Sequence, residues 1–312
     1  MNVLFFGSDG FAVEPLERML ESGHRIVSVV GRPDAPAGRG LLPAATPVVR
    51  RARELGLPLL QPQSLDRVTA GGMFLDLEWE VGVVVAYGNL IPGWLLGARP
   101  RGFVNLHPSL LPRFRGAAPV ERAIMNGATI TGVTTILMNE RLDAGDLLMH
   151  HEEPIYDDDT AGTLRERLSS LGARLLAETL EEISAESVRP VPQEEDKATF
   201  APVVAGAEGN INWGMPAEKI DRLVRALDPE QGAYTFFRGK RLKIWSVHLT
   251  DVPPEDEPGT LMSVGKEDFL VNTGTNCVLL ASIQPEGKPR MSSGEFSRGQ
   301  RLLVAERFTS ER

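Results

Sequence analysis

Two polar side chains, Asn105 and His107, lie in the short apolar stretch at residues 103–107. The other residues of this stretch are typical of β-strands, and positions two apart on an extended chain point to the same side. One face of the predicted strand therefore carries an amide, which can donate a hydrogen bond, and an imidazole, which can accept a proton. A single histidine at a strand end is more often a hydrogen-bonded spacer than a catalyst, so neighbouring motifs must decide between these interpretations.

The loop after this strand is predicted to be stiff and basic. Pro108 and Pro112 disfavour a helix because proline fixes φ and lacks a backbone N–H. Arg113, Arg115 and Gly116 follow, and two guanidinium groups beside a glycine predict a cationic loop that an anionic ligand can approach closely. The strand and the loop together are our candidate for the active centre.

A third motif makes the interpretation more specific. The apolar stretch from Val133 runs into Leu-Asp-Ala-Gly-Asp at 142–146, where Asp143 and Asp146 flank a glycine turn. Taken together, the motifs resemble the formyltransferase family that uses 10-formyltetrahydrofolate, whose signature is Asn-x-His, then SLLPxxRG, then an Asp within Leu-Asp-x-Gly-Asp. Every part is present here, and such a coincidence of separated positions is specific, whereas Asn-x-His alone would carry almost no information.

The resemblance implies that the chain transfers a formyl group from a folate nitrogen to an amine. That reaction passes through a tetrahedral oxyanion, so the site needs a donor for the oxygen and a base for the amine proton. Asn105 is predicted to donate its amide N–H to the oxyanion, and His107 is predicted to take the proton. Asp143 is predicted to bond to the far ring nitrogen of His107 and thereby fix its tautomer. No metal is required, and the five histidines lack ligand spacing.

The resemblance also predicts the position of the folate co-substrate. Residues 81–86 are apolar on both faces, as expected of a central parallel strand, and the loop after them lies where open α/β sheets bind ligands. In the family this loop holds the pterin ring through backbone groups, so Asn89, which replaces the usual apolar residue, is expected to be tolerated. The predicted folate-binding residues are Tyr87, Gly88, Asn89, Leu90, Ile91, Ser109, Leu110, Leu111 and Pro112.

A β-α-β pattern supplies the elements that position these motifs. Residues 2–6, 11–22 and 25–30 are predicted to form strand, helix and strand, which indicates a Rossmann-like α/β domain over residues 1–189. The first turn, GSDG, is not a GxGxxG fingerprint and gives little support to a dinucleotide site. Residues 160–184 are predicted to form a long amphipathic helix whose apolar stripe belongs to the core.

The remainder of the chain predicts a second domain. Residues 190–206 are rich in Pro and charge and are interpreted as a linker, and short strands with turn signals over 207–312 predict a small OB-like β-barrel. The family has a similar DKATxAP connector, and its tRNA-acting members have such a barrel, so the resemblance covers almost the whole chain. It implies initiator Met-tRNA as the partner, the barrel as a tRNA-binding domain, and a role in translation initiation.

Cations in two regions are the candidate tRNA contacts. The Gly- and Pro-rich loop at 31–48 is predicted to lack regular structure, and its Gly-Arg-Gly at 38–40 matches a family loop that meets the acceptor end of the tRNA. The family usually has lysines next, where this chain has Leu41 and Leu42. The densest cation cluster of the barrel, at 238–243, either neutralises phosphates or is a charged edge strand. The predicted tRNA-binding residues are Arg32, Arg39, Arg238, Lys240, Arg241 and Lys243.

Composition is compatible with this interpretation. The chain has 312 residues, 42% of them hydrophobic, and no apolar run reaches the ~18 residues needed to span a bilayer. The N-terminus lacks the charged leader of a signal peptide, and Cys277 is the only cysteine, which fits a reducing compartment. The net charge of −9 argues against coating nucleic acid by bulk electrostatics but is compatible with a local basic patch. A cytoplasmic monomer without membrane association is expected.

Three functions are open at this point. The first is formylation of methionine on initiator tRNA. The second keeps the chemistry with another acceptor, either an amino-sugar nucleotide or water, which would make the chain a 10-formyltetrahydrofolate hydrolase. The third is a catalytically silent nucleotide- or RNA-binding protein, against which the complete set of Asn105, His107 and Asp143 argues.

Overall fold

The computed structural model describes residues 1–37, 42–265 and 268–311, and the chain divides into two compact units. Unit 1 comprises Met1–Pro119, Ile130–Pro154 and Arg165–Pro202, and unit 2 comprises the remaining described residues. None of the helices in the described ranges combines the length and the apolarity needed to cross a membrane.

The first half of the chain alternates strands and helices, as the sequence predicts. The strands are β1 (Asn2–Gly7), β2 (Arg25–Val30), β3 (Ala35–Ala37), β4 (Leu42–Ala44), β5 (Leu59–Leu60), β6 (Val81–Val85), β7 (Phe103–His107), β8 (Ile130–Leu137) and β9 (Asp146–Pro154). The helices are α1 (Val13–Glu21), α2 (Pro47–Glu54), α3 (Arg67–Leu75), α4 (Gly93–Leu96), α5 (Pro119–Met125) and α6 (Ala161–Ser184).

One sheet organises unit 1, with the strand order β5-β2-β1-β6-β7-β8-β9. The pairs from β5 to β7 are parallel, and β8 and β9 join antiparallel to their neighbours. The chain leaves β1 towards β2 on one side and returns to β6 on the other, so the order reverses between β1 and β6. The carboxyl ends of strands at such a switch point form the usual ligand crevice of open α/β sheets. The Rossmann-like prediction is confirmed.

Aromatic packing fixes the strands at the centre of this sheet. The ring of Phe6 lies 5.3 Å from Tyr87 in an edge-on arrangement and 5.6 Å from Phe103. Trp79 meets Phe103 edge-on at 5.5 Å, and its indole N–H donates to the Phe74 carbonyl. Because Phe103 shares a strand face with Asn105, this cluster anchors the strand that carries the site.

Some elements differ from the sequence-based predictions. The region 31–48, predicted to lack regular structure, contains the antiparallel pair of β3 and β4 and the start of α2, whose first turn is capped by the Thr46 hydroxyl at 3.4 Å from Val49 N. Helix α3 was not predicted because its sequence includes two glycines, which are poor helix formers. Its N-cap, Asp66, was an available signal, since its carboxylate accepts from Val68 N at 2.7 Å.

From residue 203 onwards, the described part of unit 2 consists mainly of an antiparallel sheet with two α-helices. Its elements are α7 (Ala217–Leu227), β10 (Ala233–Phe237), β11 (Lys240–Leu249), β12 (Leu261–Val264), β13 (Phe269–Val271), β14 (Val278–Pro285), β15 (Met291–Ser292), α8 (Ser293–Gln300) and β16 (Phe308–Thr309). The strand order is β12-β13-β14-β11-β10-β16, with β15 paired to β14. A bridge between Thr260 and Arg307 brings the two ends of this sheet together, which curls it into a half-barrel. The predicted small β-barrel is confirmed as a fold class.

An ion pair whose carboxylate also accepts a backbone hydrogen bond stabilises unit 2. The guanidinium of Arg122 donates to both carboxylate oxygens of Glu208, at 2.7 and 2.9 Å, and the backbone N–H of Ala205 donates to Glu208 Oε1 at 2.8 Å. These contacts, with Arg122 as the larger cause, lower the pKa of the Glu208 carboxyl from 4.5 to about 2.

Glu208→Gln is expected to lower the free energy of unfolding at pH 7 by about 1 kcal/mol, a modest value because 40% of the Glu208 side chain is exposed to screening solvent. A depressed folded-state pKa gives stabilisation that is complete above about pH 4.5 and is lost as the pH falls towards 2. Urea unfolding at several pH values should show the gap to the parent chain closing over this range. Glu230→Gln serves as the control, and a gap that does not depend on pH would contradict the assignment.

Candidate active site

Strand β7 carries Asn105 and His107 on one face, and both side chains are almost completely buried, with exposed fractions of 8% and 4%. Asn105 pairs in register with Val84 on the parallel side and with Ile136 on the antiparallel side, so its backbone is held by two neighbouring strands. Within the described residues its side-chain amide makes no hydrogen bond. A nearly buried amide without a protein partner is unusual and leaves its N–H donors available for a ligand.

The ring of His107 has one defined hydrogen bond. Its Nε2 lies 3.0 Å from the carbonyl oxygen of Phe114. A carbonyl can only accept, so this bond requires a hydrogen on Nε2 and leaves Nδ1 as the basic nitrogen of the neutral ring. Nδ1 lies 3.8 Å from Asp143 Oδ2, which is near enough for attraction but too long for a hydrogen bond. The expectation that Asp143 fixes the tautomer is therefore wrong, because the Phe114 carbonyl fixes it.

The carboxylate of Asp143 is held by the loop that follows β7, residues 108–116, which we call the signature loop. Its Oδ2 accepts from the backbone N–H of Gly116 at 2.8 Å. Asp143 has φ of +48°, a left-handed conformation that Asp adopts more readily than most residues. Gly116 has φ of +125°, and a Cβ on it would lie 2.7 Å from the Ala201 carbonyl oxygen, so only glycine fits this position. The resulting arrangement places a negative charge beside the basic nitrogen of His107.

Arg115 has a structural position, contrary to the expectation that it faces an anionic ligand. Its side chain is 2% exposed, and it donates from Nε and Nη2 to Gln193 Oε1 at 3.0 and 2.7 Å and from Nη1 to Glu195 at 3.1 Å. Gln193 in turn donates to the carbonyl oxygens of Asp143 and Gly145, at 2.9 and 2.7 Å. The Arg115 guanidinium thus supports the turn that carries Asp143. It also lowers the pKa of the Glu195 carboxyl.

The connector and strand β8 hold the rest of the signature loop. Phe114 N donates to the Thr199 hydroxyl at 2.8 Å, which secures the residue whose carbonyl contacts His107. Ser109 is fully buried, and its hydroxyl donates to the Arg113 carbonyl at 2.6 Å, while the hydroxyl of Thr134 donates to the Ser109 carbonyl at 2.7 Å. Gln193 and Thr199 lie in the segment that the sequence marks only as a linker, and Thr134 lies in β8. None of the three was therefore identified from the sequence as a support of the site.

The predicted folate loop lies at the switch point of the sheet. Tyr87 and Ile91 are buried in the aromatic cluster, whereas Gly88, Asn89 and Leu90 are exposed. In the described part of the chain, the backbone groups of these three exposed residues make no hydrogen bond, so they are available to a polar ring. Burial raises the pKa of the Tyr87 phenol, opposed by the Asn89 side chain and the charge of Arg32. Of the second half of the predicted folate site, Leu111 is buried, and Leu110 and Pro112 are partly exposed.

The predicted tRNA-binding cations of unit 1 are Arg32 and Arg39. Arg32 is exposed beside the folate loop, since a Cβ on Gly88 would lie 3.6 Å from its guanidinium carbon. It forms no ion pair with the residues that the structure describes. Arg39 lies outside the described residues.

The cation cluster of unit 2 separates into two parts. Arg238 lies 4.8 Å from the Phe237 ring, is paired with Glu306 at 2.6 Å, and lines a cleft of about 810 Å³ together with Trp213 and Phe308. Arg241 and Lys243 also lie on aromatic rings, with the Arg241 guanidinium 3.7 Å from the Tyr234 ring and the Lys243 ammonium 5.0 Å from the Trp245 ring. Lys240 is exposed at the start of the same strand.

A further arginine joins the aromatic part of this cluster. The Arg290 guanidinium lies 3.5 Å from the Trp245 ring, although Arg290 is distant from Lys243 in sequence. Burial lowers the pKa of the Lys243 ammonium, and the positive charges of Arg241 and Arg290 lower it further. Arg241 and Lys243 form no ion pair within the described ranges, whereas Arg290 contacts Asp228 at 2.8 Å. The surface formed by Arg241, Lys243 and Arg290 is thus a concentration of positive charge.

Comparisons with known proteins agree with this geometry. The family model described as formyl transferase matches residues 1–180, and that described as formyl transferase, C-terminal domain, matches residues 204–301. The methionyl-tRNA formyltransferase of Heliobacterium modesticaldum is 40% identical over 316 residues, covering 99% of this chain and 100% of the relative. The protein of the same name from Roseiflexus castenholzii is 41% identical over 310 residues, covering 99% of each chain.

Solved structures show the same fold at lower identity. HypX from Aquifex aeolicus, in complex with tetrahydrofolic acid, superposes with a TM-score of 0.68 at 17% identity, covering 97% of this chain and 48% of that one. The N-formyltransferase from Helicobacter canadensis, in complex with folinic acid and dTDP-3-aminofucose, gives 0.67 at 17% identity, covering 91% and 98%. With the family models matching both parts of the sequence and the relatives matching its full length, the chain belongs to the formyl transferase family.

Proposed function

We propose that this chain transfers the formyl group of 10-formyltetrahydrofolate to the α-amino group of methionine on initiator tRNA. The observation that carries the chemistry is the nearly buried Asn105 amide, which has no hydrogen-bond partner among the residues that the structure describes and lies two positions before the basic ring of His107. The acceptor is supported by relatives named methionyl-tRNA formyltransferase, which are about 40% identical over the whole length of the chain. Solved structures at 17% identity, among them the N-formyltransferase from Helicobacter canadensis, support the fold alone and do not favour another acceptor.

The donor would be held by the exposed loop at the switch point. Gly88, Asn89 and Leu90 offer free backbone groups to the edge of the pterin ring, and the buried Tyr87 and Ile91 hold that loop in place. When bound there, the folate supplies a formyl carbon attached to nitrogen. The exposed guanidinium of Arg32, beside Gly88, adds a positive charge at this edge of the sheet.

The side chains of the site divide the chemistry between them. As the amine nitrogen bonds to the formyl carbon, the carbonyl oxygen gains negative charge, and the Asn105 amide would donate a hydrogen bond to it. His107 would accept the amine proton at Nδ1 while Nε2–H remains bonded to Phe114. The bond from the formyl carbon to the folate nitrogen then breaks, and the proton passes to that nitrogen. Asp143, 3.8 Å from Nδ1, would attract the ring while it is charged.

Some expectations stay predictions. We propose that residues 1–189 form the catalytic domain, 190–206 the linker and 207–312 the tRNA-binding domain. The contacts of Gln193, Glu195 and Thr199 with the signature loop add a structural role for the linker. A monomeric state and a cytoplasmic location are retained as sequence-based predictions.

The decisive experiment is an assay of formyl transfer from 10-formyltetrahydrofolate to charged initiator tRNA, with uncharged tRNA, an amino-sugar nucleotide and water as competing acceptors. Transfer to the methionine amine is expected to be much faster than any other use of the donor. Faster hydrolysis, or faster transfer to the sugar, would replace the proposed acceptor while leaving the formyl chemistry intact.

Asn105→Ala is expected to lower kcat by about 100- to 1,000-fold, because removal of one oxyanion donor has such an effect in other enzymes. His107→Ala should cause a similar loss, and His107→Ala combined with Asp143→Asn should lose little more than the worse single variant. Single-turnover transfer and folate affinity are measured together. Near-normal turnover in Asn105→Ala would remove that residue from the mechanism, and fully additive losses would show that His107 and Asp143 act independently.

The cluster in unit 2 yields a prediction with an internal control. Replacing Arg241 and Lys243 with Gln is expected to weaken tRNA binding and to reduce the slope of log affinity against log salt by about one for each lost phosphate contact. Arg238→Gln and Arg290→Gln should each have a smaller effect, since Glu306 and Asp228 already neutralise those charges. Fluorescence anisotropy across a salt series makes the comparison. An unchanged slope in the double variant would place the tRNA surface elsewhere.

A further inference from the structure

Phe200 presents a large aromatic ring to solvent beside the signature loop. The residue is 71% exposed, while the adjacent Ala201 is completely buried. No aromatic side chain among the described residues contacts its ring. Single exposed apolar residues are common and by themselves carry no meaning, so the case for Phe200 depends on its backbone and its surroundings.

The backbone around Phe200 is held on both sides. It forms a parallel bridge with Arg115, whose N–H donates to the Thr199 carbonyl at 2.8 Å and whose carbonyl accepts from Ala201 N at 2.7 Å. The Ala201 carbonyl in turn accepts from Ala118 N at 3.0 Å. The ring therefore projects from a segment whose backbone is fixed by these hydrogen bonds, and little backbone entropy would be lost when a flat group stacks on it.

Hydrogen bonds connect the segment that carries Phe200 to the reacting side chain of His107. The Thr199 hydroxyl accepts from Phe114 N at 2.8 Å, and the Phe114 carbonyl accepts from His107 at 3.0 Å. Two hydrogen bonds thus lead from the base to the residue before Phe200. The segment that carries Phe200 therefore lies against the loop that holds the base.

A free positive charge lies in the adjacent segment. Arg113 is exposed, and its guanidinium forms no ion pair with any residue that the structure describes. The guanidinium carbon of Arg113 lies 5.5 Å from the centre of the Phe114 ring. Arg115, by contrast, is buried and paired, so the two arginines of the signature loop have different tasks. An exposed aromatic ring, on a segment paired with the loop that carries an exposed cation, matches the chemistry of unpaired nucleotides, whose bases stack and whose phosphates are negative.

We propose that Phe200 and Arg113 form a platform for the unpaired nucleotides at the acceptor end of the tRNA, with a base stacked on Phe200 and a phosphate paired with Arg113. This inference rests on the proposed function. It assigns a positioning role, since neither side chain acts on the formyl group. By stacking one nucleotide, the platform would hold the attached amino acid within reach of His107.

The test compares Phe200→Ala and Phe200→Tyr using charged initiator tRNA. Stacking of a base on an aromatic ring contributes about 1–3 kcal/mol, so Phe200→Ala should raise the KM for tRNA by about 5- to 100-fold, whereas Phe200→Tyr should stay close to the parent. Folate affinity should not change in either variant. Val68→Ala, at a helix position that is 95% exposed, is the control for removing an exposed apolar side chain.

A truncated ligand makes the test specific. Binding of tRNA that lacks its unpaired 3′ nucleotides is measured by fluorescence anisotropy for the parent, Phe200→Ala and Arg113→Gln. If the platform holds those nucleotides, the truncation should weaken binding to the parent but have little further effect on Phe200→Ala, and Arg113→Gln should reduce the salt slope by about one.

The outcomes separate the two hypotheses. If the parent chain formylates charged tRNA but Phe200→Ala keeps its KM, the platform is wrong and the proposed function stands. A loss of folate affinity in Phe200→Ala, with unchanged tRNA binding, would also overturn it by assigning the ring to the donor. No transfer to charged tRNA by the parent chain would overturn the proposed function and the platform together.

Discussion

The buried guanidinium of Arg115 is the contact on which the geometry of the site depends. It joins the signature loop to Gln193 and Glu195. Gln193 in turn donates a hydrogen bond to the Asp143 carbonyl and so fixes the turn that carries Asp143. Hydrogen bonds to a charged group contribute about 1.5–3 kcal/mol each, and a guanidinium at 2% exposure would be costly without them. Arginine suits this position because its planar fork can satisfy several acceptors at once.

Two residues in or beside the same loop have backbone conformations that their residue types disfavour and that long-range contacts maintain. Phe114, at φ of +60°, and Asp143, at +48°, adopt left-handed conformations that are uncommon for residues with a side chain. Contacts with Thr199 and Gly116 hold them there. Residues in such conformations cluster at functional sites, where the surrounding structure determines them. Here the result is a carbonyl directed at Nε2 of His107 and a carboxylate placed near Nδ1.

The charged side chains of the two units differ in their burial and pairing. In unit 1 the charged groups next to the reacting side chains, Asp143 and Arg115, are largely enclosed, and Arg115 is neutralised by Glu195. In unit 2 Arg241 and Lys243 lie on aromatic rings and form no ion pair with the residues that the structure describes, and the lowered pKa of Lys243 reflects burial together with repulsion from nearby cations. Their charges are therefore available to a polyanion, whereas Arg238, which also lies on a ring, is neutralised by Glu306.

The features that depend on neighbouring residues could be predicted from the sequence. Alternation placed Asn105 and His107 on one strand face, apolar stretches located the central strands, and the literal motifs identified the family, because periodicity and turn chemistry are local properties. Asp66 before α3 shows that an available local signal can still be passed over when glycines weaken the helix.

Contacts between residues that are far apart in the sequence could not be predicted in this way. The bond from Arg115 to Gln193 joins residues 78 positions apart, and that from Phe114 to Thr199 joins residues 85 apart. No periodicity links such positions, so sequence reasoning assigned Arg115 to a ligand and the tautomer of His107 to Asp143. The aromatic support of the cations in unit 2, including Arg290, arises in the same way from strand pairing. Folding brings hydrogen-bond donors and acceptors together from distant parts of the chain. The resulting contacts determine which side chains are bonded within the protein and which are available to its substrates.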